Sequence, residues 1–421
     1  MNTKFKQNMS WIFFGNIVHA IFQYLLNIYI ARVFTTNDYG LINYATSLIA
    51  FFTSIGTLGF NGVITKKFSD DESKAGEYIG SAIVARQFFA VVAIVVLQII
   101  VRGATGVDAM LPQIVFYQSL AMLFGPFDMV VYWYRYKYAA HKVAITRLLA
   151  FFISAGWRIV AVAVFKNISA YVLGVTLESV LFGVFLAVEY KKEYPQNKLS
   201  FSSKTVKGLL LISYPFISSA LLSTIYGQTD KIMLKAMMSN EAVAMYSVAM
   251  TLAGAISIIP QALIEGFRPD IMKFRQDNMH MYRRRLKQLY ACVFWICVMY
   301  CVGVTVFAKW IVLFLYGEKY LAAVPALSLI VWYTTFSYFG AINNIYMVAE
   351  NKSKWVQVTT LVGAITNVVL NALLIPSLGV VGAAMASLVT QIIANFALLY
   401  FIKPIRENFY LILQAVRFDF D

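Results

Sequence analysis

Long apolar runs alternate with short polar connections along the whole chain. Each run is about 20 residues or longer, which is the length that an α-helix needs to cross the hydrocarbon core of a bilayer. Segments of alternating polar and apolar residues, as in membrane β-barrels, are absent. The pattern predicts an all-α polytopic membrane protein with twelve transmembrane helices near 10–33, 41–65, 78–101, 110–132, 144–165, 170–189, 208–235, 242–265, 287–308, 322–348, 355–375 and 380–402.

One face of the first predicted helix is polar although its surroundings are apolar. Asn16, His19, Gln23 and Asn27 are spaced by three, four and four residues, so they share an arc of roughly 80°. An unpaired amide in hydrocarbon costs several kcal/mol, so this stripe must face protein or water. It either forms hydrogen bonds between helices or lines a hydrated cavity. Four polar groups on one face favour the cavity. Within it, His19 is either a hydrogen-bonding residue of the wall or a proton carrier.

A second polar stripe lies about 203 residues later, on the seventh predicted helix. It consists of Ser219, Ser223, Tyr226 and Asp230, so that Asn27 corresponds to Asp230. Sequence identity between the two regions is low, but both helices have the same predicted direction. Two parallel six-helix repeats with a substrate path between them are one known plan of secondary transporters. We therefore expect two six-helix lobes around a central cavity, with the eight stripe residues lining it.

The predicted domain boundaries follow from this repeat. We expect an N-terminal lobe at 1–189, a polar cytoplasmic linker at 190–207, a C-terminal lobe at 208–402 and a cytoplasmic tail at 403–421.

Composition agrees with a membrane protein, and the distribution of charge gives its orientation. Of the residues, 60% are hydrophobic and only 13% charged, against about 45–50% and about 25% in soluble domains. One set of alternate connections holds 26 of the 35 Lys and Arg residues and the opposite set holds seven. Since positive loops stay in the cytoplasm, both termini are predicted to be cytoplasmic. The net charge of +15 is thus explained without a nucleic-acid partner.

Four charged residues within the predicted spans could form two ion pairs. Arg158 and Glu178 are expected at similar depth, and Arg86 and Asp128 both lie towards the cytoplasmic side. Each set either pairs internally or takes part in transport. As transport groups, Arg86 and Arg158 are candidates for binding a diphosphate, because guanidinium groups bind phosphate oxygens bidentately. Asp128 and Glu178 are then candidates for ion coupling.

Signatures of enzymes and bound cofactors are missing from the sequence. There is no P-loop, no G-x-S-x-G and no H-E-x-x-H. Cys292, Cys297 and Cys301 lie on one predicted helix without a suitable His or carboxylate, so neither a disulfide nor a metal site is predicted. We expect a transporter without cofactor, driven by an ion gradient, the membrane potential or the substrate gradient.

The C-terminal third carries a resemblance to a known family. The stretch NVVLNALLIPSLGVVGAAMAS resembles the hairpin of helices 11 and 12 in the polysaccharide transporter family of the multidrug/oligosaccharidyl-lipid/polysaccharide exporter superfamily. NDYG with LINYATSL, PFDMVVYWYRYKYAAHKVAITRLL, TDKIMLKAMMSNEAVAMYSVA and LFLYGEKYLAAVPALSLI resemble further family segments in the right order. Lys235, where relatives more often have a small residue, and Ala244, in place of a frequent Gly, depart from the pattern.

The resemblance implies an O-antigen flippase of the Wzx type in the bacterial inner membrane. Such proteins move undecaprenyl-diphosphate-linked oligosaccharide from the cytoplasmic to the periplasmic leaflet by alternating access. Expected partners are this lipid-linked substrate, membrane lipids, and polymerase and glycosyltransferases of the same pathway. A cation-coupled multidrug exporter of the same superfamily, a lipid II flippase and an integral-membrane glycosyltransferase or polymerase stay open as alternatives.

Overall fold

The computed structural model describes residues 3–103 and 108–420, with the side chains of 3–10, 12 and 13 left aside. All regular elements within these ranges are helical, which confirms the predicted fold class. Residues 104–107, in the predicted outer loop RGATGVD, and the side chains of Lys4 and Lys6 lie outside the described part.

Seventeen α-helices follow one another along the described residues. They are α1 Thr3–Val33, α2 Thr36–Gly56, α3 Ile64–Asp70, α4 Ala75–Gly103, α5 Leu111–Ser119, α6 Ala121–Phe124, α7 Met129–Tyr136, α8 Ala140–Ala163, α9 Ile168–Glu193, α10 Ser203–Met237, α11 Asn240–Gly254, α12 Ile258–Asp277, α13 Met279–Leu315, α14 Val324–Ala349, α15 Lys354–Ile392, α16 Leu398–Phe401 and α17 Arg406–Val416. Short 3-10 turns and one π-helical turn, Ile393–Ala397, connect some of them.

Ten helical segments of the described chain are long and apolar enough to cross a membrane. Two features raise the number of spans to twelve. The helix α2 has 21 residues, enough for one crossing. The last segment, Lys354–Phe401, contains two helices that meet at Gly379, where φ is 59° and ψ is −131°. The structure therefore agrees with the predicted twelve spans.

Polar side chains begin several of these helices by accepting hydrogen bonds from free backbone N–H groups. Thr35 Oγ1 accepts from the N–H of Asp38 at 3.1 Å, and Asn278 Oδ1 accepts from the N–H of Met281 at 3.0 Å. Asn167 and Ser239 cap α9 and α11 in the same way. A side-chain oxygen at this position satisfies one of the unpaired N–H groups of the first turn, which fixes where the helix starts.

The fourth span differs from the uniform helix predicted at 110–132. It is divided into α5, α6, a 3-10 turn over Gly125–Asp128, and α7. Pro126 lacks a backbone N–H and its ring opposes a continuous α-helix, so the turn falls where the sequence reads Gly-Pro. The break places Asp128 at the end of the turn, within reach of α4.

The chain forms two compact units, Met1–Thr224 and Ile225–Asp421. In the first unit, a cluster around Phe60, Phe68, Trp133 and Tyr190 is fully buried. The segment 194–202, part of the predicted linker, packs on the first turns of α4 in the same unit. The N–H of Ser202 donates to Ser81 Oγ at 3.0 Å.

In the second unit, the core joins α13, α14 and α17 through buried residues such as Tyr290, Ile342 and Ile412. Tyr290 and the amides of Asn343 and Asn408 share hydrogen bonds inside it, with Tyr290 Oη donating to Asn343 Oδ1 at 2.7 Å. The predicted tail therefore contains a docked helix.

The outward faces of the long helices are apolar, as a lipid environment requires. On α4, Phe88, Val91 and Ile99 are exposed, and on α13 Val306 and Phe314 are exposed. A soluble protein rarely exposes apolar patches of this extent. The chain is a multi-pass membrane protein.

Candidate functional site

The polar stripe of α1 lies on a face that is only partly buried. Asn16 is exposed, and His19, Gln23 and Asn27 are half-buried. The amide of Gln23 donates to Asn27 Oδ1 at 3.5 Å, so two members of the stripe interact with each other. The remaining contacts of the stripe lead to α8 and α9.

Arg158 on α8 is the centre of a polar cluster that joins three helices. Its side chain is 2% exposed and forms an ion pair with Glu178 on α9. The same guanidinium group donates to Ser154 Oγ at 3.0 Å and to Gln23 Oε1 at 3.5 Å. His19 Nε2 lies 3.2 Å from Glu178 Oε1. These five residues are called the Arg158 cluster below.

The Arg158 cluster has an open side. Glu178 and His19 are 23% and 29% exposed, whereas Arg158 is almost completely buried. The Nε of Arg158 is buried and has no hydrogen-bond partner among the described residues. A guanidinium group has five N–H donors, so this cation retains capacity for a further acceptor.

Arg86 on α4 forms the second ion pair of this unit. Its Nη1 and Nη2 donate to Asp128 at 2.5 and 3.4 Å, and its Nε donates to the carbonyl of Gly56 at 3.2 Å. Arg86 is 6% exposed and Asp128 35% exposed. Arg86 borders a cavity of about 200 Å³ that is lined mainly by α2, α4 and the broken fourth span.

Asp230 on α10 is the centre of a different cluster, which lies wholly in the second unit. Asn367 and Asn371 donate to its Oδ1 at 2.9 and 2.5 Å, and Ser387 donates to its Oδ2 at 2.5 Å. Tyr246 also donates to Oδ2. These residues, called the Asp230 cluster below, fill the four acceptor positions of an ionised carboxylate. Within the described residues Asp230, which is 4% exposed, has no ion-pair partner.

The other residues of the α10 stripe do not join the Asp230 cluster. Ser219 donates to the carbonyl of Pro215 at 3.0 Å, and Ser223 is exposed. The hydroxyl of Tyr226 is buried and, among the described residues, lacks a hydrogen-bond partner. Its ring lies against Gly363, where an added Cβ would approach it to 3.2 Å. A role of these three residues in a cavity stays a prediction.

Five members of the two clusters were not predicted as site residues. They are Ser154, Tyr246, Asn367, Asn371 and Ser387. Asn367 and Asn371 carried a signal, because two amides four residues apart share a helix face. Their partner, Asp230, is more than 130 residues away in sequence.

Similarity to a protein family identifies the chain more closely. A profile of the polysaccharide biosynthesis protein family matches residues 5–265, more than half of the length. The chain belongs to this family. It is also 23% identical over 398 residues to a probable flippase, AglR, of Haloferax volcanii, covering 91% of this chain and 80% of that protein. The resemblance inferred from the sequence is thereby confirmed.

Solved structures agree on the fold of this family member. The inward closed structure of the lipid II flippase MurJ superposes with a TM-score of 0.73 at 14% identity, covering 96% of this chain and 91% of that one. An inward-facing multidrug resistance transporter of the multidrug/oligosaccharidyl-lipid/polysaccharide exporter superfamily superposes with a TM-score of 0.71 at 13% identity, covering 94% of this chain and 96% of that one. At these identities the likeness shows the fold alone.

Proposed function

We propose that this protein is a flippase for lipid-linked oligosaccharides. In this proposal it moves undecaprenyl-diphosphate-linked glycan units, such as those of O-antigen, from the cytoplasmic to the periplasmic leaflet of the bacterial inner membrane. Family membership supports a role in polysaccharide biosynthesis, and the relative from Haloferax volcanii is named as a probable flippase. The single structural observation that carries the proposal is the buried Arg158 with its half-open carboxylate partner.

The Arg158 cluster suits an anionic lipid head. Taking an isolated guanidinium out of water is expensive, so Glu178 stabilises Arg158 while no substrate is bound. A diphosphate offers more acceptor oxygens than one carboxylate and binds the planar guanidinium bidentately. The exchange of one anion for another keeps the buried cation compensated, because Glu178 can turn towards His19 and water.

Arg86 is proposed to act in the same way beside its cavity. Asp128, which is 35% exposed, compensates the cation at rest and is accessible to displacement. The amides of Asn16, Gln23 and Asn27 then provide hydrogen bonds for sugar hydroxyls, while the lipid tail stays in the bilayer. When substrate takes the place of Asp128 and Glu178 at the arginines, these two carboxylates become free to bind the ion whose gradient drives transport.

Alternating access is the proposed transport cycle, with the two lobes opening to each side in turn. Both termini are proposed to lie in the cytoplasm. The pathway enzymes that assemble and polymerise the glycan are the expected functional partners.

Flux of a lipid-linked oligosaccharide across proteoliposomes tests the proposal. A leaflet-specific reagent, such as a lectin that reaches only the outer leaflet, would measure translocation by the wild type and by Arg158→Gln. We expect wild-type flux to exceed that of empty liposomes, and Arg158→Gln to reduce it about tenfold or more, because a neutral amide binds diphosphate weakly. Wild-type flux equal to that of empty liposomes would overturn the proposal.

A multidrug exporter of the same superfamily is the second candidate. The position of Asp230 favours it, because a buried carboxylate that forms no ion pair among the described residues is a candidate for ion coupling. Efflux of a cationic dye from the same proteoliposomes separates the two candidates. Dye efflux without glycolipid flux would support the exporter, and glycolipid flux alone would support the flippase.

A further inference from the structure

Helices α13 and α17 enclose a basic cavity that the proposed transport function does not use. The cavity has a volume of about 570 Å³, within the range of about 300–1,000 Å³ that is typical of ligand sites. His280, Arg283, Arg284, Lys287, Glu407 and Tyr410 are among its lining residues. It lies entirely in the second unit and is called the basic pocket below.

Two helix faces of identical spacing form the walls of the basic pocket. On α13 the lining positions include 280, 283, 284 and 287, next to Met279, and on α17 they are 407, 410, 411 and 414. Both sets follow the i, i+3, i+4, i+7 rule for one face of a helix. The apolar side of α17 is anchored in the core of this unit through Leu411 and Ile412. The pocket is therefore built on two fixed elements.

Positive charge exceeds negative charge in this pocket. Arg283, Arg284 and Lys287 are basic, and Glu407 is the only carboxylate among the lining residues that the structure describes. Glu407 pairs with Arg283 at 2.7 Å. Arg284 is exposed and has no ion-pair or hydrogen-bond partner among the described residues, and Lys287 is 3% exposed. The pocket thus offers a clustered excess of cations to an anion.

The pocket also has an apolar and aromatic edge. Tyr410, which is 49% exposed, and Phe420 are among the lining residues. Tyrosine side chains concentrate at the membrane–water interface. The Lys and Arg distribution predicts that this end of the molecule is cytoplasmic. Basic pockets in such a position bind anionic lipid headgroups.

We propose that the basic pocket binds the phosphate group of an anionic phospholipid from the cytoplasmic leaflet. The phosphate lies between Arg283, Arg284 and Lys287, and Tyr410 contacts the glycerol region. Glycolipid transport and this lipid site are independent, since they use residues of different helices.

Native mass spectrometry of the purified full chain tests the lipid site. The protein would be titrated with phosphatidylglycerol and, separately, with phosphatidylcholine, which carries no net charge. The paired variant Arg283→Gln/Arg284→Gln is expected to weaken phosphatidylglycerol binding about 30-fold, from roughly fivefold per cation near a membrane surface. Glu407→Gln removes the competing carboxylate and is expected to strengthen binding about fivefold. Phosphatidylcholine binding should not respond to either change.

Lys191→Gln/Lys192→Gln is the matched control, because it removes two exposed cations from the end of α9 on the same predicted side of the membrane. We expect this control variant to change phosphatidylglycerol binding less than twofold. If both paired variants lost phosphatidylglycerol binding to the same extent, the proposed site would be overturned, because the loss would reflect general surface charge. Displacement of the lipid by millimolar inorganic phosphate would overturn the lipid assignment in favour of a free phosphate. Thermal unfolding of the lipid-free variants checks that each remains folded.

Discussion

The Arg158 and Asp230 clusters solve the problem of a buried charge in opposite ways. In the first unit, Arg158 is compensated by a carboxylate that is itself only partly buried. In the second unit, Asp230 is surrounded by hydroxyl and amide donors, without an ion-pair partner among the described residues. A paired cation can exchange one anion for another. A carboxylate whose acceptor positions are all filled offers no position to a further donor.

This difference assigns separate tasks to the two units in the proposed cycle. The first unit has the groups that suit an anionic substrate, and in the second the carboxylate of Asp230 joins α10, α11 and α15 by hydrogen bonds. The predictions that follow test this contrast, beginning with the largest expected effect.

Asp230→Ala is expected to lower the free energy of unfolding by about 4 kcal/mol. The change leaves four donors without their acceptor in a buried site, and each unsatisfied group costs about 1–3 kcal/mol before relaxation. Denaturant unfolding of the purified protein in detergent measures this change in the free energy of unfolding. Asp230→Asn is the control and should cost only about 1 kcal/mol, because the hydroxyls of Tyr246 and Ser387 can accept from an amide. Equal loss in both variants would show that the cluster depends on charge and not on hydrogen bonding.

Glu178→Leu is expected to cost about 3 kcal/mol of stability, because it leaves Arg158 buried and uncompensated. The double variant Arg158→Met/Glu178→Leu should return to within about 1 kcal/mol of the wild type, since replacing both charges by apolar groups is often neutral. Flux should be lost in the double variant despite its stability. A stable double variant with full flux would exclude the pair from transport.

Arg86→Gln is expected to reduce glycolipid flux about tenfold, which corresponds to about 1.4 kcal/mol, while changing stability by less than about 1 kcal/mol. The small cost in stability follows from the partial exposure of Asp128, which water can solvate. The loss of transport is measured as display of surface polysaccharide in cells and as glycolipid flux in proteoliposomes. Arg102→Gln, an exposed arginine on the same helix, is the matched control and should leave both measurements unchanged.

Asn27→Leu is expected to have the smallest effect, a reduction of flux by about threefold with normal membrane insertion. Its one described side-chain hydrogen bond is long, at 3.5 Å, and its side chain is half-buried. Ile21→Leu, on the exposed part of the same helix, serves as control. Unchanged flux in Asn27→Leu would indicate that the stripe serves only helix packing.

The transmembrane architecture could be predicted because it depends on local composition. Apolar runs of sufficient length form helices in a membrane whatever their partners, since every backbone group must be satisfied within the segment. The fourth span was predicted as a single helix, and its break was not predicted. Gly125 and Pro126 are the residues in the sequence that mark this break. The division at Gly379 agrees with the predicted spans, which place separate helices at 355–375 and 380–402.

The candidate sites could be predicted only in part, because their partners come from distant helices. Polar periodicity singled out His19, Gln23 and Asp230, and charge singled out Arg158 and Glu178. Their assembly depends on packing between helices, which sequence pattern does not give. The single polar residues Ser154 and Tyr246 therefore became visible only in three dimensions. Whether the eight stripe residues line one passage stays a prediction.

The packing of 194–202 on α4 has a practical consequence for dissecting the molecule. Gly76 and Gly80 lie so close to the carbonyls of Lys198 and Ser200 that an added Cβ would overlap with them. A tag or protease site inserted into this polar and serine-rich stretch would separate it from α4 and disturb the packing of the first unit.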